Sequence, residues 1–156
     1  MKEDQFMQLA IDLATHNVES GKGGPFGAII VKDGAIISKA CNSVTSTNDP
    51  TAHAEVNAIR EACNKLHTFD LAGCELYTSC EPCPMCLAAI YWSRIEKVYV
   101  SANQHDAAEA GFDDAFLYTE FALPKEKRSI QPITLLAKLG KAPFKAWMAK
   151  ENKIPY

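Results

Sequence analysis

No apolar run in this 156-residue chain approaches the roughly 20 residues needed to cross a bilayer, so a membrane span is not expected. The opening residues, MKEDQFMQLAIDLA, scatter acids among apolar positions and so lack both the basic start and the unbroken apolar stretch of a secretion signal. A cytoplasmic location is the resulting expectation. Without such a signal, the six cysteines at 41, 63, 74, 80, 83 and 86 do not read as a disulfide framework. Internal repeats and low-complexity linkers are missing as well, and at this length one compact domain over residues 1–156 is expected. Nor is there an excess of positive charge: the formal net charge of −3 argues against an extended nucleic-acid surface. That total hides an asymmetry. Residues 1–123 hold 8 Lys/Arg and 17 Asp/Glu, a balance of −9, whereas residues 124–156 hold 8 and 2, a balance of +6. The basic tail keeps an RNA substrate in view.

What is present is a regular alternation of elements. Phe6, Leu9, Leu13 and Val18, with Ala10 and Ala14, recur at helical spacing between Asp4 and Ser20. The bend Gly21–Gly27 leads into an apolar run at Ala28–Val31, then Asp33-Gly34, then a second run at Ala35–Ile37. Asp-Gly between two apolar runs is a strong hairpin signal. Ala52–Leu66 reads as a helix with Thr51 as its N-cap and with Val56, Ile59 and Cys63 facing inward. Glu75–Thr78 reads as a strand, Cys83–Trp92 as a helix, and Lys97–Ser101 as a strand; Ile133–Leu136 is a further strand candidate and Phe144–Lys150 a terminal helix. Alternating strands and helices imply a layered α/β fold with parallel pairing.

Two fragments carry the chemistry. In Pro82-Cys83-Pro84-Met85-Cys86 the two thiols are three positions apart, so on a first helical turn both project to one side and can share a metal ion. In His53-Ala54-Glu55 the side chains are two apart, which a regular helix would send to nearly opposite faces; they converge only at a helix's open end. The arrangement this favours is two helix N-termini facing each other across a metal, with His53, Cys83 and Cys86 as ligands. Three protein ligands leave a fourth tetrahedral position for water, which marks a catalytic zinc site. Zinc would acidify that water, and Glu55, adjacent but not a ligand, would act first as base and then as acid. A structural zinc site completed by Cys80, a Cys-x-x-Cys redox pair and a non-catalytic zinc-binding module are the competing readings. An iron–sulfur run would need a cysteine after Cys86, and none occurs.

His-x-Glu with Pro-Cys-x-x-Cys resembles the signature of the zinc nucleobase deaminases of the cytidine-deaminase superfamily. The resemblance extends to Gly24-Pro25-Phe26-Gly27, Asn42, Asp49–Glu55 and Ser79–Cys86, in order along roughly residues 1–100. It implies a three-layer α/β/α sandwich around a mixed five-stranded sheet and one Zn²⁺ per chain. Through Ala107–Asp114 and a terminal aromatic, Tyr156, the chain is most similar to the bacterial guanine deaminase branch. That likeness implies hydrolysis of guanine to xanthine and ammonia, with Phe26, Asn42, Ala54, Trp92, Asp114 and Tyr156 lining the base pocket. It also implies that Asp114 accepts from the base's N–H groups and assists proton transfer. A homodimer follows from the same likeness, with the C-terminal segment, about 124–156, packing on the partner. The alternatives with the same zinc chemistry are a tRNA adenosine deaminase, a cytosine or cytidine deaminase, and a pterin or riboflavin-precursor deaminase, the last usually attached to a reductase domain for which this chain has no room.

Overall fold

The structure, a computed structural model, describes residues 2–156. Its first helix, α1 (Glu3–Glu19), sets Phe6, Ala10, Ala14 and Asn17 on one buried stripe at helical spacing. Strands β1 (Gly27–Lys32) and β2 (Ala35–Cys41) form the expected hairpin. Asp33 and Gly34 have φ of 50° and 75°, the two positive values that a tight type I′ turn demands.

After a single turn, α2 (Val44–Thr47), the chain forms α3 (Ala54–Leu66), β3 (Cys74–Cys80), α4 (Pro84–Trp92) and β4 (Lys97–Ala102). The sheet order is β2-β1-β3-β4; β1 pairs antiparallel with β2 and with β3, while β3 and β4 are parallel. Parallel strands need a crossover, and α4 supplies it. The sheet is therefore mixed. Among the described residues it has four strands rather than the five expected.

Alternation along β1 divides the core. Ala28 and Ile30 face α3, in a cluster with Ala54, Ala58, Ala62, Leu71, Leu76 and Ile90. Ile29 and Val31 face α1, in a cluster with Phe6, Ala10 and Tyr77. Helices thus cover both faces, and each fully buried isoleucine or leucine contributes about 1.5–3 kcal/mol. The inner seam of α3 is alanine at every fourth position, small enough to bring the helix close to the sheet; of the inward set expected there, Ile59 and Cys63 pack against this cluster from partly buried positions, and Val56 does not join it. Glycine does the same for α1: a Cβ on Gly27 would run into the Ala10 carbonyl oxygen.

Two short helices that the sequence pattern did not announce follow β4: α5 (Gln104–Glu109), capped by the Asn103 side chain, and α6 (Asp114–Ala122). The chain falls into two compact units, one ending at Tyr118 and the other spanning Thr119–Tyr156. In the second unit, α7 (Ala142–Ala149) forms near the expected place. Ile133–Leu136 forms no strand. It follows Pro132, which has no N–H to offer a ladder, and Leu136 adopts φ of 51°, outside extended backbone. Ile133 and Leu135 stay more than four-fifths exposed. No helix among the described residues is long and apolar enough to cross a membrane.

Candidate active site

His53 is the N-cap of α3 and Cys83 the N-cap of α4, both in extended backbone (φ −70°, ψ 155° and φ −67°, ψ 167°). Thr51, expected in the capping place, instead donates its hydroxyl to Asp49 Oδ1 at 2.7 Å and lies outside the helix. Pro84 opens α4 at a position where its missing N–H costs nothing, and Cys86 completes the first turn. Facing helix starts direct two partial positive ends and several N–H groups without intrahelical acceptors at one point.

At that point the ligand atoms of His53, Cys83 and Cys86 lie within 4.8 Å of one another. His53 Nδ1 is 3.6 Å from Cys83 Sγ and 3.5 Å from Cys86 Sγ. Tetrahedral zinc with Zn–N bonds of about 2.0–2.1 Å and Zn–S bonds of about 2.3 Å requires N···S separations of about 3.5 Å. The donor set and its spacing both fit zinc. Cys80 does not join: its thiol points to the Asn103 carbonyl oxygen at 3.6 Å, so a fourth cysteine ligand is not formed.

Cys83 is pulled down to about 4, chiefly by the hydrogen bond it accepts from the Cys86 thiol and secondly, against the cost of burial, by His53. Cys86 is pushed up because it donates that bond, and burial and Glu55 act in the same direction. The His53 imidazole is raised by its hydrogen bond to Cys83.

Glu55, second residue of α3, is 5% exposed. Its Oε2 lies 3.4 Å from Cys86 Sγ and its Oε1 3.3 Å from Thr78 Oγ1, on β3. Burial raises its pKa. These distances put a carboxylate beside the metal ligands without making it one of them.

A cavity of about 330 Å³ opens on this group, walled by Phe26, Asn42, Asp114, His53, Glu55 and Cys83 among others. Ala54 is fully buried at the first position of α3. Asn42 receives the Val44 N–H on its Oδ1 at 3.2 Å. Asp114, at the start of α6, is raised by burial and then by the nearby Cys83. Trp92 is elsewhere: two-thirds exposed at the end of α4, it lines a shallow surface cleft with Ala88 and Tyr91. Tyr156, the last residue of the second unit, is exposed in the isolated chain.

The sequence reading missed several residues that build this site. Thr78, Glu81, Val44, Thr45 and Phe112 are among them, the last meeting Phe26 edge-on at 4.9 Å between ring centres. Asn17 is the one that left a signal, being a polar residue on the otherwise apolar stripe Phe6, Ala10, Ala14. It is buried, and its Nδ2 donates to the carbonyls of Gly24 and Asn42, each at 2.8 Å, tying two cavity residues to α1.

Comparison with known proteins gives two curated relatives, a solved structure and one family. Guanine deaminase of Bacillus subtilis strain 168 is 54% identical over 158 aligned positions, covering 100% of both proteins. The X-ray structure of guanine deaminase from Bacillus subtilis superposes with a TM-score of 0.97 at 53% identity, covering 100% of this chain and 99% of that one. A tRNA-specific adenosine deaminase of Aquifex aeolicus strain VF5 is 55% identical over 102 residues, covering 65% of this chain and 67% of its own. The family model of the cytidine and deoxycytidylate deaminase zinc-binding region matches residues 1–102, a stretch that takes in both ligand-bearing helix starts and the strand between them. By that match the chain belongs to the cytidine and deoxycytidylate deaminase family of zinc enzymes.

Proposed function

We propose that this protein is a guanine deaminase, converting guanine and water to xanthine and ammonia. The observation that carries the reading is likeness along the whole chain: the guanine deaminase relative is matched from end to end, whereas the tRNA deaminase relative is matched over two-thirds. The acceptor Asp114 beside the metal ligands supports the same reading, since a purine edge bearing N–H donors needs an acceptor facing it.

His53, Cys83 and Cys86 would hold the zinc, which when bound supplies a Lewis acid that brings the ionisation of water near neutral pH. Glu55 takes a proton from the attacking water and passes it to the ring nitrogen beside the carbon that carries the amine. It then takes the second proton from the hydroxyl left on that carbon and delivers it to the amine as the C–N bond breaks, so that ammonia leaves and the water oxygen stays on the base as a carbonyl. Burial favours this double use, because a carboxyl with a raised pKa gives up and regains its proton more evenly. Phe26 offers the base an aromatic face. Asn42, a cavity residue whose oxygen is engaged by Val44, offers the base its amide N–H₂ as donor. The Ala54 N–H, first in its helix, has no intrahelical acceptor and is a further donor.

Trp92 and Tyr156 are proposed to complete the pocket from a homodimer in which the C-terminal segment of one chain packs on the other. The two exposed aromatics and the exposed apolar side chains of the second unit support that assembly. A cytoplasmic location is proposed with it.

The test is ammonia release from guanine, adenine, cytosine, cytidine and a tRNA anticodon stem-loop offered in parallel, with zinc measured on the same sample. Preference for guanine at about one zinc per chain is expected. Turnover of the stem-loop alone would reassign the basic tail to RNA and withdraw the roles given to Asp114 and Tyr156.

A further inference from the structure

Asp114 and Tyr118 are the first and fifth residues of α6 and so stand one above the other on the same face of the helix. The Tyr118 hydroxyl donates to the carbonyl oxygen of Pro82 at 2.9 Å. Pro82 is buried and directly precedes the ligand Cys83. Its segment, Glu81-Pro82-Cys83-Pro84, holds two prolines with restricted φ, so the acceptor sits on stiff backbone. That segment is further tied down by the Glu81 N–H to Ala102 and by Gln104 N–H to Glu81 Oε2 at 3.1 Å. The chain leading into α6 is otherwise a turn through Gly111, whose φ of 92° only glycine adopts readily. Upstream of Asp114, the Phe112 ring meets Phe26 edge-on.

From this geometry we infer that Tyr118 is a positioning residue, one that fixes Asp114 over the cavity by hooking α6 to the metal-binding loop. The aromatic contact at Phe112 restrains one side of Asp114 and the Tyr118 hydrogen bond the other. Neither partner of that bond lines the cavity. Tyr118 acts through the placement of Asp114, and this rests on the reading that Asp114 binds the base.

Tyr118→Phe removes the hydroxyl and keeps the ring, which makes it a clean probe. Guanine kinetics, zinc content and melting temperature are measured for the wild type, Tyr118→Phe, Asp114→Asn and the double variant. The expected result is a KM about tenfold higher in Tyr118→Phe with kcat changed less than about twofold, the signature of a displaced binding group, with zinc and melting temperature as in the wild type. In the Asp114→Asn background the same substitution adds nothing. Unchanged kinetics in Tyr118→Phe would overturn the inference, as would an equal loss in both backgrounds, which would place the effect on the metal loop itself. If the wild type leaves guanine untouched, the proposed function fails on its own; the cycle is then run on the base of the panel that is deaminated, and the same two outcomes decide Tyr118.

Discussion

Replacing Glu55 by glutamine exchanges one carboxylate oxygen for an amide nitrogen at nearly constant volume. Its Oε1 keeps its place 3.3 Å from Thr78 Oγ1, and an N–H₂ donor replaces the oxygen that lies 3.4 Å from Cys86 Sγ. A donor beside a sulfur that must ionise to bind zinc is no obstacle to the metal, and burying a neutral amide is less costly than burying a carboxylate. Zinc content and melting temperature are therefore expected to stay within error of the wild type. Activity is not. A side chain that relays protons in two steps supplies about 10²–10⁴-fold, equivalent to roughly 3–5 kcal/mol of barrier. The variant should lose that factor in kcat while KM for guanine moves little. The assay is steady-state ammonia release with zinc determined on the same preparation. Full turnover with zinc bound would refute the proton-transfer role and return the site to a non-catalytic zinc module; loss of zinc would make Glu55 a ligand.

Three other outcomes are expected. Cys83→Ala removes one of three ligands and should purify with little zinc and no turnover, read by metal analysis against Glu55→Gln. Asn17→Ala withdraws a buried donor from two carbonyls and should cost about 1–3 kcal/mol, seen as a fall of several degrees in melting temperature. It should also raise KM, because Gly24 and Asn42 line the cavity. Deleting Tyr156 should raise KM with the melting temperature unchanged; identical kinetics would remove the tail from the pocket.

The fold was readable where side-chain period and turn chemistry act over short distances. The α1 stripe, the Asp33-Gly34 hairpin and the α4 crossover each rest on neighbours a few residues apart. Element ends were less legible. Thr51 is an ordinary capping residue by type, but Asp49 captures its hydroxyl and His53 takes the cap. The expected fifth strand did not form, because an apolar run of strand length becomes a strand only with an edge to pair against, and Ile133–Leu136 follows a proline and turns left-handed at Leu136.

What the sequence by itself determined was the metal chemistry. Histidine two residues from glutamate converges on one site at a helix start, cysteines three apart share one side of a first turn, and one imidazole with two thiolates favours zinc by ligand type. The tertiary structure decided what no spacing encodes: that 30 residues of chain bring His53 Nδ1 to 3.6 Å from Cys83 Sγ, that Cys80 turns away to Asn103, that Asn17 reaches the carbonyl of Asn42, and that Tyr118 reaches the carbonyl of Pro82. Ligand type is a property of residues. Convergence depends on how helices pack on a sheet, and here that packing is set by small side chains at Gly27 and along Ala54, Ala58 and Ala62, whose role is visible only once their neighbours are in place.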